Sequence, residues 1–198
     1  MMVIGLTGSI AMGKSEAARY LASLGFPVFD SDAEVHKLYE SKAGAELVRS
    51  IAPQAILQEK VDRPALSAIV LNNQALLNAL EKLVHAEIRK QRTAFLSQAR
   101  ATKVKAAILD IPLLFETAAE VEVDRVIVVS APPEIQCQRA LARPGMTPER
   151  LQLILARQMP DAEKRRRGDA IIDTSSTVQQ MQKSLHELCI KWGLISHA

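Results

Sequence analysis

Residues 2–30 read MVIGLTGSIAMGKSEAARYLASLGFPVFD, and the order of patterns within them decides the fold. Met2–Thr7 is a continuous apolar run closed by Gly8, as in a strand buried on both faces of a parallel sheet. A helical pattern follows from Lys14 to Leu24, with Ala17, Ala18, Leu21 and Ala22 forming one stripe. Gly25 stands where a glycine ends a helix, and Phe26–Asp30 reads as a short second strand. Strand, glycine loop, helix and strand make a βαβ unit, and such crossovers build parallel sheets.

Between that strand and that helix, Gly8-Ser9-Ile10-Ala11-Met12-Gly13-Lys14-Ser15 matches G-x-x-x-x-G-K-[ST] at every fixed position. Gly8 and Gly13 let the backbone curl so that successive N–H groups face a phosphate, and the helix N-terminus adds its positive end. Lys14 can reach β- and γ-phosphates, and the Ser15 hydroxyl can ligate Mg²⁺. A degenerate pattern also arises by chance, but the strand before it and the helix after it are the context this chemistry demands. The loop implies a nucleoside triphosphate. GTP switches add an Asp-x-x-Gly segment and an Asn-Lys-x-Asp guanine reader, and this sequence contains neither. At 198 residues it is also too short for a motor or transporter module. Small-molecule kinases remain.

From about residue 33 to residue 105 the reading is helical. It is clearest over Asn73–Arg100, where Leu76, Leu77, Leu80, Leu83, Val84, Ile88 and Phe95 recur near a 3.6-residue period. Ala106–Asp110 and Arg125–Val129 are strong strand signals, and Ala170–Asp173 is a weaker fifth. No repeat, low-complexity segment or linker divides the chain. Five strands alternating with helices predict a three-layer α/β domain.

Composition fits one ordinary globular domain, with 48% hydrophobic and 24% charged residues. Apolar runs such as Ala106–Leu109 and Val126–Val129 fall far short of the ~20 residues a membrane span needs. The N-terminus has no basic segment and no small-residue cleavage site, and Cys137 and Cys189 read as reduced thiols. A cytoplasmic chain without a membrane partner is expected. The net charge of +3 comes from scattered basic residues, and aromatics make up only 4%, which argues against nucleic acid. Sites for small phosphorylated ligands explain the charge as well. No apolar seam marks an oligomer surface.

Several side chains are candidates for phosphoryl-transfer chemistry. Asp30 and Asp32 end the second strand, where open α/β sheets bind ligands. A carboxylate there can orient an acceptor hydroxyl and take its proton, and an aspartate there can equally cap the next helix. The reading gives one role to each, with Asp32 as the base. Asp110 closes an apolar strand, the position of an acid that holds Mg²⁺ through water, with capping of the same loop as the competing account. Ile111-Pro112-Leu113-Leu114-Phe115-Glu116 suits an apolar wall of a ligand cleft, and core packing would use the same residues. His85 and Arg89 share a helical face that Arg92 continues, a pattern that surface hydrogen bonding also produces. Arg139 and Arg143 share a helical face ahead of the turn Pro144–Glu149, with Thr147 as the next N-cap. A closing lid uses such arginines to neutralise transferred charge, although a solvated helix has the same look. Lys164-Arg165-Arg166-Arg167 reads as a solvated helix end.

Together these pieces resemble the dephospho-coenzyme A kinase family over nearly the whole chain. The likeness covers Ile4–Gly8 leading into the loop, Phe29-Asp30-Ser31-Asp32, and His85 with Arg89 for the family's His-Pro-x-Ile-Arg. Asp110–Glu116 matches its Asp-x-Pro-Leu-Leu-Phe-Glu signature, which is far more specific than the phosphate loop. Gln138-Arg139 with Arg143, Gln158-Met159 and Gly168–Ile172 complete it. The chain departs at Ala11-Met12, where Gly-Ser is usual, at Ala86 for proline, at Gly168 for alanine and at Thr174 for asparagine.

The resemblance implies a nucleoside-monophosphate-kinase-like P-loop fold, with a five-stranded parallel sheet, a helical acceptor-binding insertion and a lid. The core would comprise residues 1–32, 106–138 and 155–198, the insertion about 33–105 and the lid about 139–154. It implies transfer of the ATP γ-phosphoryl to the ribose 3′-hydroxyl of dephospho-coenzyme A, the last step of coenzyme A synthesis. Gly8, Ala11, Met12, Gly13, Lys14, Ser15 and Glu16 would bind the nucleotide. Asp32 would act as base, with Lys14, Arg139 and Arg143 stabilising transferred charge. Asp32, His85, Arg89, Pro112 and Leu113 would hold the acceptor, and Ser15 and Asp110 the Mg²⁺.

Overall fold

The computed structural model describes residues 1–71 and 73–196. Residue 72 of the expected insertion and residues 197 and 198 of the expected core lie outside the described residues. The chain forms two compact units, Met1–Phe29 with Ala99–Ala198, and Asp30–Gln98. It opens with β1 (Met2–Thr7), α1 (Lys14–Ser23) and β2 (Val28–Asp30). Next come α2 (Ser31–Glu40), α3 (Lys42–Arg49), β3 (Ile56–Leu57), β4 (Lys60–Val61), α4 (Arg63–Leu71) and α5 (Gln74–Ala101). The remainder is β5 (Ala106–Asp110), β6 (Arg125–Ser130), α6 (Pro133–Leu141), α7 (Pro148–Ala156), α8 (Asp161–Arg167), β7 (Ala170–Asp173) and α9 (Val178–Lys191).

Five strands form a parallel sheet in the order β2-β5-β1-β6-β7. β1 is central: Leu6 aligns with Asp110 of β5 on one side and with Ile127 of β6 on the other. Its apolar run follows from that position, because both faces are covered. On one face Ile4, Leu6, Ile108, Ile127 and Val129 pack with Ala17 and Leu21 of α1 and with Met181, Leu185 and Cys189 of α9. Alternate residues point the other way. There Ser130 donates its hydroxyl to Asp161 Oδ2 at 2.7 Å, fixing the start of α8. Burying a side chain the size of Leu21, which has no exposed surface, contributes ~1.5–3 kcal/mol.

α1 stops one residue short of the expected Leu24, in a motif that needs Gly25. The Gly25 amide donates to the Ala22 carbonyl at 2.9 Å and the Phe26 amide to the Leu21 carbonyl at 3.4 Å, with φ 88° at the glycine.

The second unit is mostly helical. Asp30 caps α2 by accepting from the Ala33 amide at 3.0 Å, and Ser41 caps α3 by accepting from the Gly44 amide at 3.1 Å. A β-carbon on Gly44 would sit 1.9 Å from the Leu38 carbonyl oxygen, so only glycine lets α3 approach the end of α2. α5 buries Leu80, Val84 and Ile88 as the 3.6 period predicts, but Leu83 is exposed. Arg92 stands near His85 and Arg89 on the helix but is buried, where those two are exposed. The all-helical expectation for 33–105 also missed the β3–β4 hairpin. Its turn places Gln58 at φ 48° and Glu59 at φ 60°. Glycine or asparagine normally announces such a left-handed pair, and neither is present.

Gly44→Ala is expected to destabilise the protein by ~1–3 kcal/mol or more, read as a lower urea midpoint at unchanged slope. Burial pushes the Cys189 thiol up to about 11. A thiol raised above its unfolded value of ~8.5 contributes stability in full below that pH, and loses it as pH climbs towards the folded value. At pH 8 the exposed Cys137 should therefore react with a thiol reagent in the native protein, and Cys189 only after unfolding.

Candidate active site

The phosphate loop lies against β6 and β7. A β-carbon at Gly8 would meet Val129 Cγ2 at 2.5 Å and its carbonyl oxygen at 2.7 Å. Gly13 precedes α1 at φ 84°, with Thr174 3.2 Å from where its β-carbon would be. Thr174 is buried, and its hydroxyl is shared between the Met12 carbonyl at 2.9 Å and the Ser130 carbonyl at 3.2 Å. The Met12 sulfur accepts from the Ala131 amide at 3.1 Å. Ala11 is left-handed at φ 61°, which costs an L-residue ~1–2 kcal/mol. Its methyl offsets part of that cost by packing with Ala140 and Leu151, a small apolar cluster that also takes in Ile10, Met146 and Leu155. Glu16 lies in the first turn of α1, where its carboxylate pairs with Arg19 at 2.8 Å on the surface, and Ser15 beside it is exposed.

Lys14 Nζ forms a salt bridge with Asp110 Oδ1. Asp110 is 2% exposed, and the Ile111 amide donates to the Leu6 carbonyl at 3.0 Å, so the end of β5 is fixed beside β1. The segment beyond Asp110 divides between its two expected uses. Leu114 and Phe115 are core, whereas Leu113 is 39% exposed. The Pro112 carbonyl accepts from the Thr7 hydroxyl at 3.1 Å and from Lys164 Nζ at 3.1 Å.

Two arginine expectations need correction. Arg139 is half-buried on α6 and donates to the Thr174 carbonyl at 2.6 Å, so it reaches the loop region. Arg143 does not share its helical face. α6 ends at Leu141, and Arg143 is exposed in the turn beyond it. The cause is Pro144, which disfavours helical backbone in the residue before it. In the supposed solvated run, Lys164 has no exposed surface and pairs with Glu116 at 2.9 Å. Arg167 pairs with Glu120 and lies 4.5 Å from the centre of the Phe115 ring. Four-residue charge runs hide such differences, since one turn of helix points its members in every direction.

Sequence reasoning also passed over Gln136, and it quoted Gln158 within the family likeness without giving it a task. Gln136 Nε2 donates to the Ile10 carbonyl at 2.9 Å, and Gln158 Oε1 accepts from the Ile10 amide at 3.0 Å. Both polar groups of one loop residue are thus held from α6 and from the link between α7 and α8. A cleft of about 600 Å³ opens where β6 and β7 end, lined by Met12, Gln136, Asp161, Arg165 and Asp173 among others.

In the second unit, Asp30 is the cap and Asp32 stands exposed in the first turn of α2. His85 and Arg89 are both exposed, four residues apart on α5. Among the described residues no three His, Cys, Asp or Glu gather as a metal-binding group, and no helix is long and apolar enough to cross a membrane.

The dephospho-CoA kinase family (CoaE) matches residues 2–180. A dephospho-CoA kinase from Agrobacterium fabrum is 48% identical over 193 residues, 98% of this chain and 99% of that protein. Another from Nitrobacter winogradskyi is 49% identical over 188 residues, 95% of this chain and 94% of its own length. Among solved structures, a Thermus thermophilus protein superposes with a TM-score of 0.83 at 33% identity, covering 96% of this chain and 97% of that one. Dephospho-CoA kinase from Campylobacter jejuni gives 0.71 at 27% identity, over 96% and 98%. Shikimate kinase from Acinetobacter baumannii, at 17% identity and 0.56 over 98% and 96%, shares the fold.

Thr174→Val removes the one hydroxyl that serves two buried carbonyls behind the loop. It should cost ~1–3 kcal/mol in a denaturation measurement, the range for leaving such groups unpaired.

Proposed function

The chain belongs to the dephospho-CoA kinase family, and on that premise we propose that it transfers the γ-phosphoryl of ATP to the ribose 3′-hydroxyl of dephospho-CoA, giving coenzyme A. The observation that carries this reading is the salt bridge joining the phosphate-loop lysine, Lys14, to Asp110, the first residue of the Asp-Ile-Pro-Leu-Leu-Phe-Glu segment. The 3′-oxygen attacks the γ-phosphorus, the bond to the β,γ-bridging oxygen breaks, and ADP leaves with those electrons.

Each side chain has a task in that scheme. The amides between Gly8 and Glu16, with the positive end of α1, cradle the phosphates. Asp110 holds the Lys14 ammonium in place beforehand, so less side-chain freedom is lost when the nucleotide binds. Asp32 orients the 3′-hydroxyl and takes its proton, while Asp30 serves as the helix cap. His85 and Arg89 present two donors to the phosphates of the acceptor, and Pro112 and Leu113 line its path. Arg139 and Arg143 meet the transferring charge from the lid, about residues 139–154, and closure would keep out water as a rival acceptor.

Mg²⁺ is part of the proposal. The Ser15 hydroxyl is an exposed hard oxygen donor, and the buried Asp110 carboxylate, already paired with Lys14, would hold the ion through water, which fits an ion that keeps most of its waters. When bound it would neutralise charge on the β- and γ-oxygens. We infer a cytoplasmic enzyme acting on small molecules, with neither nucleic acid nor membrane as partner.

ADP release from Mg-ATP should rise strongly when dephospho-CoA is added, and Asp32→Asn should lower kcat by ~10²-fold or more with little change in ATP binding. No acceptor dependence in folded, ATP-binding protein would overturn the reaction. Dependence that survives in Asp32→Asn would transfer the base to another carboxylate.

A further inference from the structure

Lys164 carries its charge with no exposed surface, and the reaction scheme above gives it no task. An ammonium group is expensive to bury unless partners replace its water. Its partners are Glu116 Oε1 at 2.9 Å and the Pro112 carbonyl at 3.1 Å, the residues on either side of Leu113-Leu114-Phe115. The second lone pair of the Pro112 carbonyl takes the Thr7 hydroxyl at 3.1 Å, so that oxygen is fully used. Glu116 Oε1 also accepts from the Met159 amide at 2.7 Å. The neighbouring Gln158 holds the Ile10 amide at 3.0 Å. A closed circuit therefore runs from Lys14 through Asp110 and the segment after β5 to Glu116, then through Gln158-Met159 back to the phosphate loop.

Stability alone does not call for a buried ion pair, since apolar residues of similar volume often serve as well or better. A charged pair can do what an apolar one cannot, which is to hold a carbonyl and a carboxylate at fixed direction. We propose that Lys164 is a positioning residue for the acceptor. It clamps Pro112 to Glu116, and so fixes the Pro112–Leu113 wall without touching substrate. This rests on the reading of Pro112 and Leu113 as acceptor-lining residues.

The test pairs Lys164→Met with Glu116→Gln, because Lys164→Met alone strands a buried carboxylate. The glutamine carbonyl can keep the Met159 bond while the hold on Pro112 is lost. The folded double variant should keep its KM for ATP but lose about tenfold or more in kcat/KM for dephospho-CoA, chiefly through KM. Amide hydrogen exchange at Thr117, Ala118 and Ala119, which bond back to Leu113, Phe115 and Leu114, should quicken by about tenfold. Exchange at Ile108 in β5 should not change. Wild-type kinetics for dephospho-CoA, an equal loss towards ATP, or unchanged exchange would each overturn the proposal. If that variant does not fold, Lys164→Leu with Glu116→Gln, which also keeps an acceptor for the Met159 amide, replaces it under the same criteria. Should wild-type protein show no acceptor-dependent turnover, the kinase reading fails on its own, and the exchange comparison still decides whether Lys164 holds this segment.

Discussion

The salt bridge between Lys14 and Asp110 depends on a backbone fact, the register that sets Asp110 opposite Leu6 on adjacent parallel strands. Because β1 and β5 run the same way, both deliver their carboxyl ends to one edge of the sheet. One strand leads into the phosphate loop there, and the other ends in a carboxylate. Parallel pairing needs a crossover, so the chain between these neighbours includes both α1 and the whole second unit. The arrangement holds a cation at the edge of the sheet before any phosphate arrives.

Around that pair, the loop is held by its neighbours more than by itself. Thr174 supports Met12 from behind, Gln136 and Gln158 hold the two sides of Ile10, and Ala11 buries its methyl against Ala140 and Leu151. Ala11 shows how a departure from the usual loop sequence is accommodated. An alanine at φ 61° is strained, but the methyl that causes the strain also fills space against Ala140 and Leu151. A glycine would relieve the backbone and leave that space unfilled.

Two of the buried charges follow one rule. Asp110 and Lys164 are almost wholly shielded from water, and each meets a partner of opposite sign. Such pairs contribute modestly to net stability, because desolvation consumes much of the attraction. Their consequence is geometric: breaking one partner leaves a stranded charge, so the segments that carry them are confined to one arrangement.

The sequence by itself determined the five strands, the helix after the phosphate loop, the loop itself and the carboxylates at the strand ends. Those features are local: a buried strand must be apolar throughout, and the loop must have its two glycines and its lysine at fixed offsets. The tertiary structure decided the rest. It separated Leu113 from Leu114 and Phe115 within one apolar run, took Arg143 off the helix that carries Arg139, and revealed a hairpin whose turn has neither glycine nor asparagine. It also turned Lys164, one of four consecutive cations, into the buried partner of Glu116, 48 residues earlier in the chain. Burial and long-range pairing depend on which face of a helix meets the sheet and on what lies opposite it, and no window of neighbouring residues contains that information.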